Sequence, residues 1–391
     1  MSAYEHVKAN GGNSGIDNVT LEDFKKDYQN SLYKIWNRMS SGSYFPPAVK
    51  LVDIPKKGGG VRSLGIPTVG DRIAQMAVVL VLNPELERYR PGRSAHDAIS
   101  KTRERCFRYD WVLDMDISKF FDTIDHDLLM KALERHVKDS WCLLYIRRWL
   151  KVPYMRADGS LIERSRGVPQ GSVIGPILSN LFLHYVFDKW MELNQSKIPF
   201  ERYADDIVCH CRSKAEAEWL LDGVSARLSK CNLSLNLDKT QIVYCKDNRR
   251  RNNHEHISFT FLGYEFKPRR AVDKHGKVFT GYLPAVGKTS KKHMSDVIRS
   301  WKLHRYTHCN IEVIADFINP VVKGWINYYG KFYPTELKTY LGHLNIRLAV
   351  WVSRKFKRFK GRKVAAIKWL EGVSKRDKHL FYHWKWGAVP S

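Results

Sequence analysis

The sequence has little of what marks a secreted, membrane-bound or disulfide-built protein. Met1 to Gly12 hold no apolar signal core, and the apolar run Ala77 to Leu82 is far too short to cross a bilayer. There is no lipidation signal and no amphipathic membrane anchor. The seven cysteines fall at wide or odd spacings without a C-x-x-C pair, so neither a disulfide framework nor a cysteine zinc site is indicated. An odd count without a framework points to a reducing, cytoplasmic setting. Cys209 and Cys211 flank His210, but strand alternation would put the cysteines on one face and the histidine on the other. That is the pattern of small buried hydrophobes more often than of a metal site. Internal repeats and low-complexity tracts are missing too.

Acidic residues are in the minority. The 391 residues include 66 Lys and Arg against 40 Asp and Glu, a net charge of +26, with 43% hydrophobic residues. That is enough apolar material for more than one domain, and enough positive charge to call for a polyanion, nucleic acid first. The charge is uneven. From Gly281 onward there are 22 Lys and Arg against 6 Asp and Glu, a net of +16, together with six of the twelve tryptophans. A domain boundary is expected near Val278 to Pro284.

The first part mixes strands and helices. Ala48 to Pro55 and Val61 to Ile66 read as strands around a Lys56-Lys57-Gly58-Gly59-Gly60 turn. Asp71 to Val81 has helical spacing, with Pro84 bending or restarting it. Trp111 to Ile117 is a short apolar strand, and Asp125 can cap a helix over His126 to His136. A helix is expected from Ile177 to about Trp190, two strand pieces around Asp205-Asp206, a helix over Ala215 to Lys230, and a strand over Ser258 to Phe266. The tail reads as helices over Lys291 to Leu303, Ile311 to Tyr329 and Pro334 to Arg354, with a kink at Pro320.

Three segments carry chemistry. In Tyr203-Ala204-Asp205-Asp206 two adjacent acids interrupt apolar flanks, Phe200 before and Ile207-Val208 after. Paired aspartates are unfavourable inside a strand, so they belong at a hairpin tip. Their repulsion is relieved by a cation, and hard oxygen ligands favour Mg²⁺. A plain Asp-rich turn is the competing reading. In Leu113-Asp114-Met115-Asp116, continuing to Phe120-Phe121-Asp122, Asp116 ends an apolar strand where its carboxylate would project. Three carboxylates on adjacent strands can hold two metal ions about 4 Å apart. Asp114 and Asp122 compete with Asp116. Alternation sets Asp114 on the same face, about 7 Å back, and Asp122 falls where the next helix starts. The third segment, Arg166 to Pro176, has three glycines and two prolines. It makes a shaped loop that a ligand can approach closely, or an ordinary entry into a helix.

In this order and spacing the segments resemble the group II intron-encoded reverse transcriptase/maturases, of the kind that lacks an endonuclease. The resemblance runs through Gly15-Ile16-Asp17, Arg62 to Thr68, Asp71-Arg72, the Asp116 segment, the Gly167 to Gly175 loop, Tyr203 to Asp206, Asn236-Leu237-Asp238-Lys239-Thr240 and Phe261-Leu262-Gly263. It continues in the tail from Phe317-Ile318 to Gly324-Trp325-Ile326-Asn327-Tyr328-Tyr329. It implies an α+β right-hand polymerase. Fingers would occupy residues 1–112, an antiparallel-sheet palm 113–280 with a finger insertion at about 130–165, and a helical thumb and maturase region 281–391. It implies a metal-binding catalytic triad of Asp116, Asp205 and Asp206, with two Mg²⁺ ions that Mn²⁺ can replace. Phe121 would exclude a ribose 2′-hydroxyl, Gln170 contact the incoming nucleotide, and Arg62 and Arg72 grip its triphosphate, a task suited to planar guanidinium groups. Lys239 would protonate the leaving pyrophosphate, unless it is a surface lysine. Phe261, Leu262 and Gly263 would form the primer grip. The implied partners are group II intron RNA, an RNA template with a DNA primer, and dNTPs, with no membrane.

The tail stands on its own chemistry as well. Arg354, Lys355, Lys357, Arg358, Lys360, Arg362 and Lys363 place seven cations in ten residues, with Phe356 and Phe359 between them. Phosphate contact with base stacking is the expectation, a solvated basic face the alternative. Fourteen residues precede Gly15, fewer than the family usually has, and the chain stops at Ser391 without the cysteine pairs of an HNH nuclease. No endonuclease, no RNase H-like acidic set and no retron motif is expected. The leading function is copying RNA into DNA and assisting intron splicing. A splicing-only maturase, or a domesticated relative in DNA repair or phage defence, are the alternatives.

Overall fold

The computed structural model describes residues 1–55, 61–86, 92, 94–273 and 275–391, with backbone only at 85 and 86. The turn expected over Lys56 to Gly60 lies outside the described residues. In chain order the strands are β1 (Val49–Pro55), β2 (Val61–Ile66), β3 (Trp111–Asp116), β4 (Tyr154–Met155), β5 (Leu161–Ile162), β6 (Phe200–Tyr203), β7 (Asp206–Cys211), β8 (Gln241–Tyr244), β9 (Phe259–Phe261), β10 (Tyr264–Val272) and β11 (Val278–Val286). They form sheets ordered β2-β1-β4-β5, β6-β7-β3-β8 and β11-β10-β9. With the helices this is the α+β class. The chain divides into two compact units, Met1–Ser94 with Leu113–Ile242, and Ala95–Val112 with Val243–Ser391.

In the first unit the helix Val69–Leu86 is buried on nearly all sides over its first half, the apolar Val69, Ile73, Ala74 and Val78 together with Asp71, Arg72 and Gln75. The helix continues through Pro84, which has no N–H to give to the preceding turn, and ends two residues later. The helix Gly175–Leu183 takes Pro176 in its first turn, where the absent donor is unneeded. One continuous helix was expected to Trp190. Instead a π-helical turn, His184–Asp188, intervenes before Lys189–Asn194. That turn brings Asp188 onto Arg202, with Nε–Oδ1 2.7 Å and Nη2–Oδ2 2.5 Å. Such bulges are rare and need a compensating contact. The expected alternation across β7 gives way to burial of both faces: Ile207 to Cys211 are all buried, His210 included, with its Nε2 2.7 Å from Glu201 Oε2.

The second unit pairs the β9-β10-β11 sheet with the helices Lys288–Ser300, Ile311–Tyr329, Pro334–Lys355 and Lys363–Arg376. The helix Ile311–Tyr329 runs through Pro320 and is capped by Asn310, whose side chain accepts from Val313 N. Ile318, Val322, Leu341, Leu348, Leu370 and Trp351 lie in the core of this unit. Buried Trp351 donates to Tyr306 O at 2.9 Å, as a buried indole must find an acceptor. The boundary expected at Val278 to Pro284 falls inside β11, which pairs with β10 along its whole length. The shift in charge along the chain marks no break in the backbone. Among the described residues no helix is long and apolar enough to cross a membrane.

Candidate active site

The two acids of the Tyr203 to Asp206 segment sit at a hairpin tip. Tyr203 pairs with Asp206, and Ala204 takes the left-handed conformation, φ 54°, that closes so tight a turn. An alanine there costs about 1 kcal/mol, and the turn is braced: Arg202 Nη1 donates to Ala204 O at 3.1 Å and to Asn180 Oδ1 at 3.2 Å, while Asp188 holds its other nitrogens. Arg202 and Asn180 were not singled out from sequence. They stand 22 residues apart in the chain, and only the fold brings them together.

Asp116 closes β3 in the same sheet. Its Oδ2 accepts from Lys239 Nζ at 3.1 Å and from Asn236 Nδ2 at 3.1 Å, and its carbonyl accepts from Asn236 N at 2.8 Å. The Asn236 to Thr240 box is therefore a loop folded onto Asp116. Asp205 is pushed above the usual carboxylate range by burial and then by Asp116, against the pull of Arg62 and Lys239. Asp206 is pushed up to about 6 by the protein packed around its carboxyl and then by Asp205 and Asp116, although the residue keeps a side open to solvent. Asp114 is pushed up to about 7 by burial, with Asp206 and Asp116 adding, while Gln241 Nε2 donates to it at 3.1 Å. The cluster thus holds four mutually repelling carboxyl groups. Asp122 lies apart in the short helix Phe120–Thr123.

Among the described residues no three His, Cys, Asp or Glu side chains are gathered closely enough to hold a metal ion as they stand. The chemistry of the donors nonetheless fits a hard divalent cation. All are carboxylate oxygens, their charges resist ionisation together, and one already attracts an ammonium group.

The glycine-rich loop carries the nucleotide candidates. Gln170 Oε1 accepts from Arg62 Nε at 2.5 Å, and Gln170 O accepts from Gly65 N at 2.8 Å. Gly171, φ +113°, lies so close to β2 that a Cβ would meet Gly65 O at 2.6 Å. At the loop's other end Val168 N donates to Phe121 O at 2.7 Å. Arg62, Phe121 and Gln170 are thereby tied to one loop, and Arg62 reaches the Asp205 carboxyl electrostatically.

Other predicted residues lie elsewhere. Arg72 does not join Arg62. It is buried, with Nη1 donating to Gly11 O and Nη2 to Asn13 O, both at 2.9 Å. Its guanidinium clasps the N-terminal segment, and both terminal nitrogens are committed to carbonyls. Phe261, Leu262 and Gly263 belong to the second unit, where Leu262 (φ 50°) and Gly263 (φ 79°) turn β9 into β10. Tyr328 Oη donates to Leu262 O at 2.9 Å and Ser290 Oγ to Gly263 O at 3.0 Å, which holds a leucine in a conformation it rarely adopts. In the basic run Arg354, Lys357, Arg358, Lys360, Arg362 and Lys363 are exposed. Lys355 is not a free cation: its Nζ donates to Thr307 O at 2.9 Å and Cys309 O at 2.8 Å. Nor are the two phenylalanines open stacking platforms. Both pack on Trp369, ring centroids 5.3 Å and 6.3 Å away, and anchor the run to the core.

The reverse transcriptase (RNA-dependent DNA polymerase) family matches residues 54–266, and the group II intron maturase-specific domain matches residues 291–369. Protein YkfC of Escherichia coli is 30% identical over 302 residues, covering 66% of this chain and 76% of its own. The group II intron-encoded protein LtrA of Lactococcus lactis is 25% identical over 351 residues, covering 71% of this chain and 56% of its own. The chain spans only 24% of another relative, the putative COX1/OXI3 intron 1 protein of Saccharomyces cerevisiae, 31% identical over 202 residues. A telomerase structure from Candida albicans aligns over 90% of this chain and 68% of its own with a TM-score of 0.45 and 14% identity, too distant to carry an argument. The polymerase-family match spans the strands that carry Asp116, Asp205 and Asp206, and the chain belongs to the reverse transcriptase family, with a group II intron maturase-specific domain following its polymerase region in sequence.

Proposed function

We propose that this protein is an RNA-directed DNA polymerase that also binds group II intron RNA and assists its splicing and mobility. One observation carries the reading: the hairpin tip with Asp205 and Asp206 shares a sheet with Asp116 and an electrostatic neighbourhood with Asp116, Lys239 and Arg62. Residues 1–112 would serve as fingers, 113–280 as palm with an insertion at about 130–165, and 281–391 as thumb and RNA-binding region, in a cytoplasmic setting.

Asp116, Asp205 and Asp206 would hold a pair of Mg²⁺ ions, with Mn²⁺ able to substitute. When bound, the ions supply an acidified primer 3′-hydroxyl and neutralise the charge of the triphosphate and leaving pyrophosphate. The chain's own groups do the rest. Gln170 and Arg62 orient the nucleotide, and the guanidinium offers paired donors to phosphate oxygens. The Phe121 ring crowds the 2′ position of the sugar. Lys239 holds a proton on Nζ beside Asp116, from which it can serve the leaving group. The exposed cations of the second unit bind RNA phosphates. The purified protein should elongate a DNA primer on an RNA template with Mg²⁺ and stop on chelation. Binding of intron RNA without any elongation would instead favour a splicing-only role.

A further inference from the structure

The loop that carries Gln170 is held from behind by a buried side chain with no assigned role. Gln75 projects from the helix Val69–Leu86 and is 2% exposed. Its Oε1 accepts from Val173 N at 2.8 Å and from Ile174 N at 3.3 Å, so one amide oxygen serves two consecutive loop donors. Its Nε2 donates to Asp71 Oδ2 at 2.9 Å, one helical turn back. Asp71 is 1% exposed. Its Oδ1 accepts from Trp149 Nε1 at 2.7 Å and Tyr44 Oη at 2.9 Å, from two further segments of the same unit. Buried polar groups this fully engaged fix geometry, because any other arrangement strands one of them.

The chain of contacts ends at the nucleotide. The same loop bonds β2 through Gly65 and Gln170, and the Phe121 backbone through Val168. Gly167 N adds a bond to Ile124 O at 2.7 Å, and the anchor at Val173 and Ile174 is Gln75. We propose that Gln75, set by Asp71, is the positioning residue of the nucleotide-binding loop, and that the pair governs how tightly the incoming nucleotide is held. The inference rests on the polymerase reading above for its consequence, but not for its geometry. It assigns no contact between Gln75 and the nucleotide. Gln75 acts through Gln170 and through the wall that Phe121 forms.

The polarity of the pair supplies a discriminating test. Gln75→Glu keeps the size and the accepting oxygen but faces Asp71 with a second buried carboxyl. Burial already pushes Asp71 up to about 6 despite three donated bonds, so the two carboxyls must repel or share one proton, and the variant is assayed at a pH well above that range. The double variant Asp71→Asn/Gln75→Glu reverses the polarity and restores every bond. The amide introduced at position 71 accepts from Tyr44 and Trp149 through its oxygen and donates through its nitrogen. The carboxylate introduced at position 75 accepts that bond and those from Val173 and Ile174.

Three measurements decide the proposal: steady-state KM and kcat for dNTP on a primed RNA template, amide hydrogen exchange over residues 166–176, and the melting temperature of each variant. In Gln75→Glu the KM should rise about tenfold with little change in kcat, the worth of roughly one buried hydrogen bond. Loop exchange should quicken. The double variant should bring both back toward wild type. An unchanged KM and exchange in Gln75→Glu, or a double variant no better than the single, would overturn the proposal. Equal losses in kcat, KM and melting temperature, unrescued by the double, would reduce Gln75 to core packing. If the wild type elongated no primer, the polymerase reading would fall, while the exchange comparison would still decide whether Gln75 holds the loop.

Discussion

Replacing Gly171 by alanine should weaken the grip on the incoming nucleotide far more than it disturbs the fold. Gly171 stands at φ +113°, outside even the left-handed basin that some side chains tolerate. Forcing a side chain there costs about 1–3 kcal/mol. The new Cβ would also lie 2.6 Å from Gly65 O, a backbone atom of β2 that cannot swing aside. Overpacking of this kind costs about 1–3 kcal/mol more. The cheapest relief is for the loop to back away, which breaks the 2.8 Å bond from Gly65 N to Gln170 O and loosens the pairing of Gln170 with Arg62. If about 3 kcal/mol falls on nucleotide binding, the KM for dNTP rises roughly hundredfold. Gly159→Ala is the control. It has φ +83° but nothing within 4 Å of its Cβ, so it bears only the backbone strain and leaves KM alone. The assay is single-nucleotide incorporation across a dNTP series, with a melting curve for each variant. A Gly171→Ala protein with wild-type KM would refute the placement of this loop at the nucleotide.

Three further outcomes are expected. Phe121→Ala should admit ribonucleotides, read as rNTP incorporation beside dNTP; an unchanged ratio would make Phe121 a packing residue. Replacing Lys357, Arg358, Lys360 and Arg362 together should flatten the log–log salt dependence of RNA binding by about three units, whereas Lys355→Met should lower the melting temperature instead, since Lys355 holds two carbonyls. His383, its Nε2 on Asn345 Oδ1 at 2.8 Å, is pushed by burial from 6.5 down to about 3. A depressed folded pKa contributes stability that is complete above 6.5 and lost as the pH falls toward 3. Chemical denaturation of wild type and His383→Gln should diverge in that window, by up to about 5 kcal/mol; parallel pH profiles would show that His383 does not titrate with unfolding.

What could be read in the sequence follows a physical divide. The clustering of Asp116 with Asp205 and Asp206 was legible because paired carboxylates are disfavoured inside a strand and belong at its end, with a plain Asp-rich turn as the competing reading. The strands beside them were legible because Val112, Leu113 and Ile207 to Cys209 are apolar runs that only a buried sheet explains. The fate of the arginines and lysines was not legible. Arg72 looks like Arg62 in sequence, yet its partners, Gly11 and Asn13, are about sixty residues away. Lys355 looks like Lys357, but a helix end turns it toward Thr307 and Cys309. The β10–β11 hairpin was not foreseen: the expected strand stopped at Phe266, before Pro268, Arg269 and Arg270, which β10 includes. In the fold Arg269 is buried on Glu265 and Glu336, at 3.3 Å and 2.9 Å, so its charge is neutralised by groups that the local pattern does not reveal. The π-helical turn at His184–Asp188 was hidden for the same reason, since its partner, Arg202, lies on a strand further along the chain.

The most direct measurement compares the wild type with Asp205→Ala and Asp206→Ala in elongating a DNA primer on an RNA template with Mg²⁺, alongside RNA binding by the same preparations. Elongation should fall below detection in both variants while RNA affinity stays at the wild-type level, because the carboxylates hold the chemistry and the second unit's cations hold the RNA. Robust elongation by either variant would contradict the assignment of the hairpin tip as the catalytic centre.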